Sequence, residues 1–314
     1  MCTKGRVLIT GGAGYLGSIV SEHLLNAGYA VTVIDNLMYQ QRSLYHLCAQ
    51  PVFHFVRGDA RDAQLLTREL KQADVIVPLA AVVGAPACDR DPWLVRSVNV
   101  EAIKTLQSLR SPRQLVVVPI TNSGYGTKSD EVLCDEDSPL EPISLYGCTK
   151  VEAEQILLET PNVISLRLAT VFGMSPRMRI DLLVNHFVYA AVTDGYIVLF
   201  EEHFKRNFVH IRDVADAFVH SIEHADDMVG HPYNLGLDDA NLSKAQLTEV
   251  IKRHIPDFVV MTSQLRSDPD KRNYIVSNAR LREAGFAARR GLDEGVRELL
   301  EGYSMLPRSE LRNI

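Results

Sequence analysis

Tyr146 and Lys150 are the residues of this 314-residue chain whose types and spacing most directly suggest chemistry. Residues four positions apart share one face of an α-helix, so the lysine ammonium is expected beside the tyrosine phenol. A nearby cation favours the phenolate and predicts a tyrosine pKa below its usual value of about 10. Such a phenolate can accept the proton of an alcohol while a hydride leaves the same carbon. Because such pairs also occur by chance on helix surfaces, their meaning depends on the surrounding sequence.

A glycine-rich segment supplies that context, because Gly11, Gly14 and Gly17 follow the apolar run Arg6–Thr10 and open a helical pattern. Such glycines permit a tight turn, let the backbone approach a diphosphate, and let the helix pack on the strand. Asp35 ends the next apolar run, where a carboxylate can bind both ribose hydroxyls of adenosine and repel the 2′-phosphate of NADP. The order of strand, glycine turn, helix, strand and acid therefore predicts NAD as the cofactor.

Short apolar runs alternate with helical patterns along the first half of the chain, which predicts an α/β fold. The predicted strands are Arg6–Thr10, Ala30–Ile34, Val52–Val56, Val75–Val77, Leu115–Pro119 and Val163–Leu168, and the predicted helices are Ser18–Ala27, Pro92–Leu109 and Tyr146–Glu159. This pattern is typical of a doubly wound parallel (Rossmann) sheet covered on both faces. We expect an NAD-binding domain over residues 1–173, to which residues 207–239 return. Residues 174–206 and 240–314 are expected to form a smaller, mixed C-terminal substrate-binding lobe.

Composition and charge favour an ordinary soluble protein. Hydrophobic residues make up 46% of the chain and charged residues 23%, and the net charge of -6 indicates no basic face for nucleic acid. No apolar run approaches the ~20 residues of a membrane helix, and no signal peptide is recognised before the first strand. The five cysteines lack CxxC spacing and the ten histidines form no metal-type cluster. We therefore expect reduced thiols, no metal, no membrane partner and a cytoplasmic location.

Three further segments are candidates for the cleft at the carboxyl ends of the strands. Asp59 follows the third strand run, where it can meet the adenine edge or cap the helix that begins near Asp62, and both alternatives stay open. Leu79–Ala81 follow the fourth run, where small residues let the backbone pass close to a cofactor, although tight packing explains them equally well. Thr121–Ser123 follow the fifth run, and their hydroxyls can face the cleft or form only a polar turn.

Together these motifs resemble the extended short-chain dehydrogenase/reductases of the NAD-dependent sugar-nucleotide epimerase/dehydratase family, over nearly the whole chain. The resemblance rests on Gly11–Gly17, Asp35, Thr121–Gly126, Ser138-Pro139, Tyr146 with Lys150, and Arg206–Ala215, which reads Arg-x-Phe-x-His-x-x-Asp-Val-Ala. It implies that Tyr146 is the catalytic base, Lys150 its modulator and Thr121 a residue that helps to bind the reacting hydroxyl. It also implies that Arg206 contacts the nucleotide diphosphate, which suits an arginine fork.

The resemblance further implies two sets of ligand-binding residues. The expected cofactor set is Gly11, Gly14, Tyr15, Leu16, Gly17, Asp35, Asn36, Asp59, Ala60, Leu79, Ala80, Ala81, Asn99, Tyr146 and Lys150. The expected substrate set is Val83, Asn122, Ser123, Arg177, Arg179, Asn185, Arg206 and Arg272. In the second set, Arg177, Arg179, Asn185 and Arg272 are equally well explained as surface or helix-capping residues.

The residues after the expected catalytic threonine narrow the reaction within the family. The family's 4,6-dehydratases carry Asp-Glu at these positions, and Asn122 and Ser123 cannot do that acid–base work. The reductase-epimerases that make GDP-fucose carry a cysteine where this chain has Ser123, which disfavours their mechanism too. The stretches Pro176–Asn185, Leu199–Phe204 and Asp268–Tyr274 resemble bacterial GDP-heptose C4 dehydrogenases of capsule biosynthesis.

The expected activity is therefore NAD-dependent oxidation of a nucleotide-linked sugar at C4, with GDP favoured over UDP as the nucleotide. A 4-epimerase would use the same residues and remains open, as does a non-catalytic protein that senses NAD(H). The resemblance also predicts a homodimer, in which Pro92–Leu109 and Tyr146–Glu159 pair across a two-fold axis as a four-helix bundle. The apolar stripes offered for that face, which could equally cover the chain's own sheet, are Val95, Val98, Ala102 and Leu106, and Ala153, Ile156 and Leu157.

Overall fold

The computed structural model describes residues 3–128, 132–264 and 272–306. Its strands are β1 (Arg6–Thr10), β2 (Ala30–Asp35), β3 (Phe53–Arg57), β4 (Val75–Pro78), β5 (Leu115–Thr121), β6 (Leu133–Cys134), β7 (Val163–Leu168), β8 (Thr170–Phe172), β9 (Tyr196–Leu199), β10 (Lys205–His210), β11 (Pro232–Leu235), β12 (Asn241–Ser243), β13 (Val259–Thr262) and β14 (Ile275–Val276). Its α-helices are α1 (Tyr15–Asn26), α2 (Ala63–Leu70), α3 (Ala85–Arg90), α4 (Pro92–Arg96), α5 (Ala102–Leu109), α6 (Leu145–Leu158), α7 (Leu183–Thr193), α8 (Ile211–Glu223), α9 (Ala225–Met228), α10 (Lys244–Lys252), α11 (Ala279–Glu283) and α12 (Leu292–Met305). None of the helices in these ranges combines the length and apolar character needed to cross a bilayer.

A seven-stranded sheet forms the centre of the molecule, in the order β11-β7-β5-β4-β1-β2-β3. Every neighbouring pair in this sheet is parallel. The order reverses direction at β1, which places helical crossovers on both faces. The predicted doubly wound α/β fold is confirmed.

The boundaries of the predicted elements hold best where buried strands are bounded by turns. β1 and β7 have the predicted ends, and the other four predicted strands are shifted or extended by one or two residues. Helix α1 begins at Tyr15 rather than at Ser18, directly after its N-cap Gly14. The long predicted helix Pro92–Leu109 is continuous but contains a π-helical turn at Ser97–Glu101, and α3 before it was not predicted.

Alternation along the strands sends apolar side chains to two buried layers. Leu8 packs in the layer under α2, α5 and α6, whereas Val7 and Ile9 pack on the opposite face with α1 and α8. Both layers are filled by the chain itself, so the parallel sheet is covered on its two faces.

The apolar stripes offered for a dimer interface lie inside the chain. Leu106, Ala153, Ile156 and Leu157 pack in the layer under α2, α5 and α6. Val95 and Val98 belong to a small cluster beside α6, and Ala102 is buried. The alternative that these stripes cover the chain's own core is therefore correct, because the sheet and neighbouring helices already occupy them. The homodimer stays a prediction without that support.

The second half of the chain returns to the central sheet and also builds three small sheets. β11 adds to the edge of the central sheet beside β7, in parallel register. The small sheets are β12-β10-β8, β13-β9 and β14-β6. Helix α8 is anchored by Asp213, whose carboxylate accepts the backbone N–H groups of Arg289 at 3.0 Å and Arg290 at 2.8 Å. The aspartate of the Arg206–Ala215 motif thus ties α8 to the segment that precedes α12.

Candidate active site

The predicted cofactor and catalytic residues lie along one edge of the central sheet, because its strands are parallel and their carboxyl ends meet there. The segments that follow β1, β2, β3, β4 and β5 at this edge are Gly11–Gly17, Asp35 with Asn36, Asp59 with Ala60, Leu79–Ala81 and Thr121–Ser123. Leu16, Ala60, Leu79, Ala80, Ala81 and Val83 are half-buried around it. The edge is therefore lined by loop residues from five successive strands.

The glycine loop after β1 is shaped by close backbone packing. Gly11 has φ +72°, and a Cβ atom there would lie 2.6 Å from the backbone of Ala80. A Cβ at Gly17 would lie 2.6 Å from the Cα of Gly12, whereas a Cβ at Gly14 would meet only a carbonyl oxygen at 3.3 Å. Gly14 is also the N-cap of α1 and provides no side chain to cap the first N–H groups. This open, uncapped helix terminus fits a bound diphosphate.

Asp35 ends β2 with a carboxylate that is 7% exposed and fixed by three donors. It accepts the backbone N–H of Ala13 at 2.9 Å, that of Leu37 at 2.8 Å, and the side-chain amide of Gln41 at 3.2 Å. Burial raises the pKa of this carboxyl, and the same hydrogen bonds oppose the rise. The acid predicted to bind the adenosine ribose is thus held rigidly next to the glycine loop.

Asp59 is paired with its neighbour and does not cap α2. Its carboxylate accepts three hydrogen bonds from Arg61, including Nε and Nη2 at 2.8 Å, and one from Asn36 Nδ2 at 3.2 Å. The hydrogen-bonded guanidinium of Arg61 lowers the pKa of Asp59 to about 2. Asp62 is the N-cap of α2. Of the two alternatives that the sequence left open for Asp59, helix capping is therefore excluded.

Asn99 lies in the π-helical turn and holds the segment after β4 from behind. Its amide oxygen accepts the N–H of Val82 at 2.8 Å, and its Nδ2 donates to the Val82 carbonyl at 3.0 Å. Nδ2 also lies 3.2 Å from the hydroxyl of Thr149 on α6. Asn99 is 2% exposed. Asn99 therefore connects Val82, in the segment after β4, to α6, and its contact with the cofactor stays a prediction.

The reaction centre combines the end of β5 with the first turns of α6. Ser144 caps α6, and Tyr146 and Lys150 follow on the same helix. The hydroxyl of Thr121 donates to the Ser123 hydroxyl at 2.8 Å, and Thr121 lies close enough to the Tyr146 phenol to oppose the rise of its pKa. Lys150 is 7% exposed, and the charge of Glu154 acts on its ammonium group. The three predicted catalytic side chains thus converge on one half-buried position.

The predicted acidification of Tyr146 by Lys150 is wrong for the protein by itself. Burial raises the Tyr146 pKa above its ordinary value, and the influences that oppose this rise are the charges of Arg179 and Arg272 and the hydrogen bond from Thr121. Burial also lowers the pKa of Lys150 to about 8. The physical reason is that transferring the phenolate from water to this buried position costs more free energy than its interactions with these neighbours contribute. A further positive charge is needed to make the phenol acidic.

The predicted substrate residues next to the reaction centre fall into three environments. Arg272 donates a hydrogen bond to the Ser123 hydroxyl. Arg206 is 4% exposed, and its guanidinium lies over the ring of Tyr274 at 5.6 Å from the ring centre. Asn122 is fully buried, and neither polar atom of its side chain has a hydrogen-bond partner in the described part of the chain. Two guanidinium groups therefore flank the edge where a diphosphate is expected.

Asn185 links several elements through its side-chain amide, and its role as a substrate ligand stays a prediction. Its Oδ1 accepts the N–H of Gly173 at 3.1 Å, and its Nδ2 donates to the Arg179 carbonyl at 2.9 Å and approaches the Tyr15 hydroxyl at 3.3 Å. The Tyr15 hydroxyl donates in turn to the Gly173 carbonyl at 2.8 Å. Because Asn185 is fully buried and uses both ends of its amide, it connects the cofactor helix to the loop that carries Arg179.

The two arginines of that loop point to different neighbours. Arg179 forms an ion pair with Asp181 and lies close to Gly84, where an added Cβ would be 3.6 Å from its Nη2. Arg177 lies over the ring of Tyr39, 5.2 Å from the ring centre, in the loop that follows β2. Arg179 is therefore the one that faces the reaction centre, while Arg177 faces the cofactor side.

Sequence reasoning missed two residues that shape this site. Tyr274 is 2% exposed and the Arg206 guanidinium lies over its ring. In the sequence it is only an aromatic residue within a family-like stretch, and nothing there indicates the contact with Arg206. Glu154 is 1% exposed on α6, and its four-residue spacing from Lys150 could have predicted that the two side chains share a helix face. Residues Asp268–Lys271 of the family-like stretch lie outside the described residues. Over the described ranges, no three His, Cys, Asp or Glu side chains are grouped to hold a metal ion.

Comparison with known proteins identifies the family. The model of the NAD dependent epimerase/dehydratase family matches residues 7–236. The chain belongs to this family. It is similar to the low-salt glycan biosynthesis protein Agl12 of Haloferax volcanii, with 26% identity over 310 residues that cover 95% of this chain and 98% of that protein. A UDP-glucose 4-epimerase of Azospirillum brasilense is 29% identical over 250 residues, which cover 70% of this chain and 68% of the relative.

A solved structure supports the same architecture. The UDP-glucuronic acid 4-epimerase of Bacillus cereus, in complex with UDP-glucuronic acid and NAD, superposes with a TM-score of 0.84. The match covers 96% of this chain and 100% of that one, at 22% identity. As a member of its family, this chain is an enzyme and its cofactor is NAD. The uncapped Gly14 turn and the fixed Asp35 carboxylate fit that cofactor.

Proposed function

We propose that this enzyme oxidises a nucleotide-linked sugar at C4 to a 4-keto sugar used in surface polysaccharide biosynthesis. The observation that carries the proposal is that Thr121, at the end of β5, lies close enough to the Tyr146 phenol to oppose the rise of its pKa, with Lys150 one turn further along α6. This arrangement lies at the sheet edge that also carries the diphosphate loop, so an alcohol and a nicotinamide can meet there. NAD supplies a hydride acceptor when bound.

The protein's own residues handle the proton of the reaction. Thr121 orients the C4 hydroxyl, and the phenolate oxygen of Tyr146 accepts its proton as the C4 hydrogen leaves as a hydride. The C4–O bond becomes a carbonyl, so two electrons and one proton leave with the hydride and the second proton stays on the phenol. Lys150 provides a positive charge on the same helix face.

The residues after Thr121 favour oxidation over dehydration. Asn122 and Ser123 bring no carboxylate to this position, and elimination of water needs an acid and a base there. Ser123 is already bonded to Thr121 and Arg272, and the Asn122 amide is fully buried. We therefore infer that the reaction either ends at a 4-keto sugar or continues by reducing that ketone again at C4.

For the substrate, we propose a diphosphate held by Arg206 and Arg272 and a sugar that extends toward Tyr146. The stretches that resemble GDP-heptose C4 dehydrogenases make a GDP-linked heptose the first candidate. The named epimerases among the relatives act on UDP-sugars, so UDP is the competing nucleotide. Guanidinium groups bind either diphosphate equally well, and the base must be discriminated elsewhere.

A 4-epimerase is the second candidate, because relatives that carry this name align with most of the chain. In this variant the same residues oxidise C4, and the keto sugar then rotates within the site. The hydride returns to the opposite face of C4. No net oxidation results, and the cofactor keeps its oxidation state over the cycle.

A substrate panel tests both proposals. The purified enzyme with NAD is incubated with GDP- and UDP-linked hexoses and heptoses, and reduced-nicotinamide absorbance and product mass are followed together. NADH with a product that has lost two hydrogens supports C4 dehydrogenation, whereas an epimer without net NADH supports the second candidate. Tyr146→Phe serves as the catalytic control. A folded, NAD-binding enzyme that converts no member of the panel would contradict the proposal.

A further inference from the structure

Helix α6 carries a third ionisable side chain on the face of the catalytic pair. Tyr146, Lys150 and Glu154 follow one another at four-residue spacing, which places them along one side of the helix. Glu154 is 1% exposed and Lys150 is 7% exposed. A buried carboxylate one turn beyond a buried ammonium group is a costly arrangement unless the charges compensate each other.

The Glu154 carboxylate is fixed from β7. Its Oε1 accepts hydrogen bonds from the Ser165 hydroxyl at 2.5 Å and from Arg167 Nε at 3.0 Å, and its Oε2 accepts one from Arg167 Nη2 at 2.9 Å. Arg167 is held in place by donating to the Tyr125 hydroxyl at 3.2 Å and to the Glu136 carbonyl at 2.9 Å. The carboxylate therefore has one orientation, set by a neighbouring strand and not by Lys150.

The charge of Lys150 depends on this carboxylate. Burial lowers the pKa of Lys150 to about 8, and the negative charge of Glu154 opposes that fall. Without a nearby negative charge, a lysine at this depth would lose its proton near neutral pH.

We propose that Glu154 is a positioning residue for Lys150: its strand-held carboxylate keeps the lysine charged and on the helix face that leads to Tyr146. The consequence for catalysis rests on the proposed function, because a neutral Lys150 could not favour the Tyr146 phenolate. The charge state of Lys150 itself does not rest on it. The role is distinct from catalysis, since Glu154 acts through Lys150.

The other charged and titratable groups around this face come from several elements. Tyr146 lies on α6 itself, Arg167 comes from β7, and Cys88 from α3 acts on the Tyr146 phenol. Arg179 and Arg272 also act on that phenol. Glu154 is the charged neighbour that acts on the Lys150 ammonium. Because Glu154 is negative and its partner Arg167 is positive, removal of one charge or the other should move the Lys150 pKa in opposite directions.

Two substitutions that break the same ion pair test the proposal. The full-length enzyme with NAD is labelled by competitive acetylation over a pH series, and peptide mass spectrometry gives the Lys150 pKa. Glu154→Gln is expected to lower this pKa by about one unit or more, since a compensating charge is removed. Arg167→Met is expected to raise it, because the remaining carboxylate is then shared with Lys150 alone. Glu154→Asp keeps the charge and should restore most of the wild-type value.

The opposite signs separate positioning from a purely structural role, because both substitutions disrupt one buried ion pair and both destabilise the fold. An unchanged Lys150 pKa in Glu154→Gln, or shifts of the same sign in both variants, would overturn the proposal. If a single variant does not fold, the double variant Glu154→Gln/Arg167→Met removes both charges. Its Lys150 pKa is expected below that of the wild type, and an equal or higher value contradicts the proposal.

Activity measurements distinguish this inference from the proposed function. With an active nucleotide sugar, Glu154→Gln should move the alkaline limb of kcat to lower pH and leave the sugar KM unchanged. If the Lys150 pKa shifts as expected but no sugar of the panel reacts, the proposed function fails and the role of Glu154 stands. If a sugar reacts but the Lys150 pKa is insensitive to Glu154, the role of Glu154 fails alone.

Discussion

The glycine loop after β1 and the arginines proposed to hold the substrate diphosphate, Arg206 and Arg272, are built in different ways. The loop uses backbone N–H groups of consecutive residues, and its shape follows from close contacts of Gly11 and Gly17. The proposed substrate side consists of guanidinium groups that lie far apart in the chain, Arg206 stacked on Tyr274 and Arg272 bonded to Ser123. A site made from consecutive residues can be recognised in a sequence. A site whose residues come from distant segments can be recognised only once the three-dimensional structure is known.

The two regions also differ in how they handle charge. At the loop, donors are aligned before the anion arrives, so binding requires little rearrangement. At the reaction centre, burial raises the Tyr146 pKa and lowers the Lys150 pKa, so both catalytic groups are held away from their charged forms. The donors of the cofactor side are thus already in place in the chain by itself. The reaction centre, in contrast, is expected to depend on the charge of the bound nicotinamide.

Replacing the catalytic phenol is expected to have the largest effect. Tyr146→Phe keeps the ring but removes the proton acceptor, so kcat with an active nucleotide sugar should fall by about 10²–10⁴-fold. NAD affinity at neutral pH should change little, as measured by titration. Tyr45→Phe is the matched control, because Tyr45 is 70% exposed and belongs to neither predicted ligand-binding set. Full activity in Tyr146→Phe would favour the NAD-sensing alternative instead.

Loss of a convergent arginine should affect the nucleotide sugar and not the cofactor. Arg206→Gln removes a buried guanidinium that stacks on Tyr274, and the sugar KM is expected to rise by about 10- to 100-fold. The NAD dissociation constant should stay near that of the wild type. Arg253→Gln, at an exposed arginine paired with Asp293, is the matched control. Equal losses of sugar and cofactor affinity would mean that the two regions are not separate.

A methyl group in the glycine loop should affect the cofactor side and stability together. In Gly17→Ala the added Cβ would lie 2.6 Å from the Gly12 Cα, and we expect about 1–3 kcal/mol of destabilisation with weaker NAD binding. Gly291→Ala is the control, because an added Cβ meets nothing within 4 Å there. Thermal unfolding and NAD titration measure both effects. A Gly17→Ala enzyme with wild-type stability and NAD affinity would contradict the packing argument.

The contrast between local and convergent features also explains what the sequence could predict. The order of β1, the glycine loop, α1 and Asp35 was predicted because each signal lies within one short segment. The apolar stripe around Leu106 was correctly seen as apolar, but its periodicity could not tell the chain's own core from a partner's surface. Spacing likewise placed Tyr146 next to Lys150 without revealing the cost of burial, which reversed the direction of the phenol's pKa shift.

Asn99 and Asn185 show a related limit. Asn99 was predicted as a cofactor residue and Asn185 as a substrate residue, and both stay predictions. In the structure their amides bind backbone groups and thereby support the loops that line the site. A sequence shows that an amide is present but not whether its hydrogen bonds are already satisfied, because the partners come from other segments.

The central claim is that the Tyr146 phenol becomes acidic when the oxidised nicotinamide binds. The phenol pKa is raised in the protein alone, so between about pH 6 and 9 the phenol is protonated there. If the nicotinamide cation favours the phenolate, binding releases a proton, and NAD affinity must rise with pH above the phenol pKa of the complex. NADH, whose reduced ring is neutral, should show little of this effect.

The decisive measurement is the dissociation constant of oxidised NAD over that pH range, in wild type and in Tyr146→Phe. Lys150, with a pKa of about 8, titrates in the same range, and comparison of the two proteins removes its contribution. The account predicts that wild-type affinity rises more steeply with pH than that of Tyr146→Phe, and that this difference disappears with NADH. Identical pH dependences in the two proteins would contradict it.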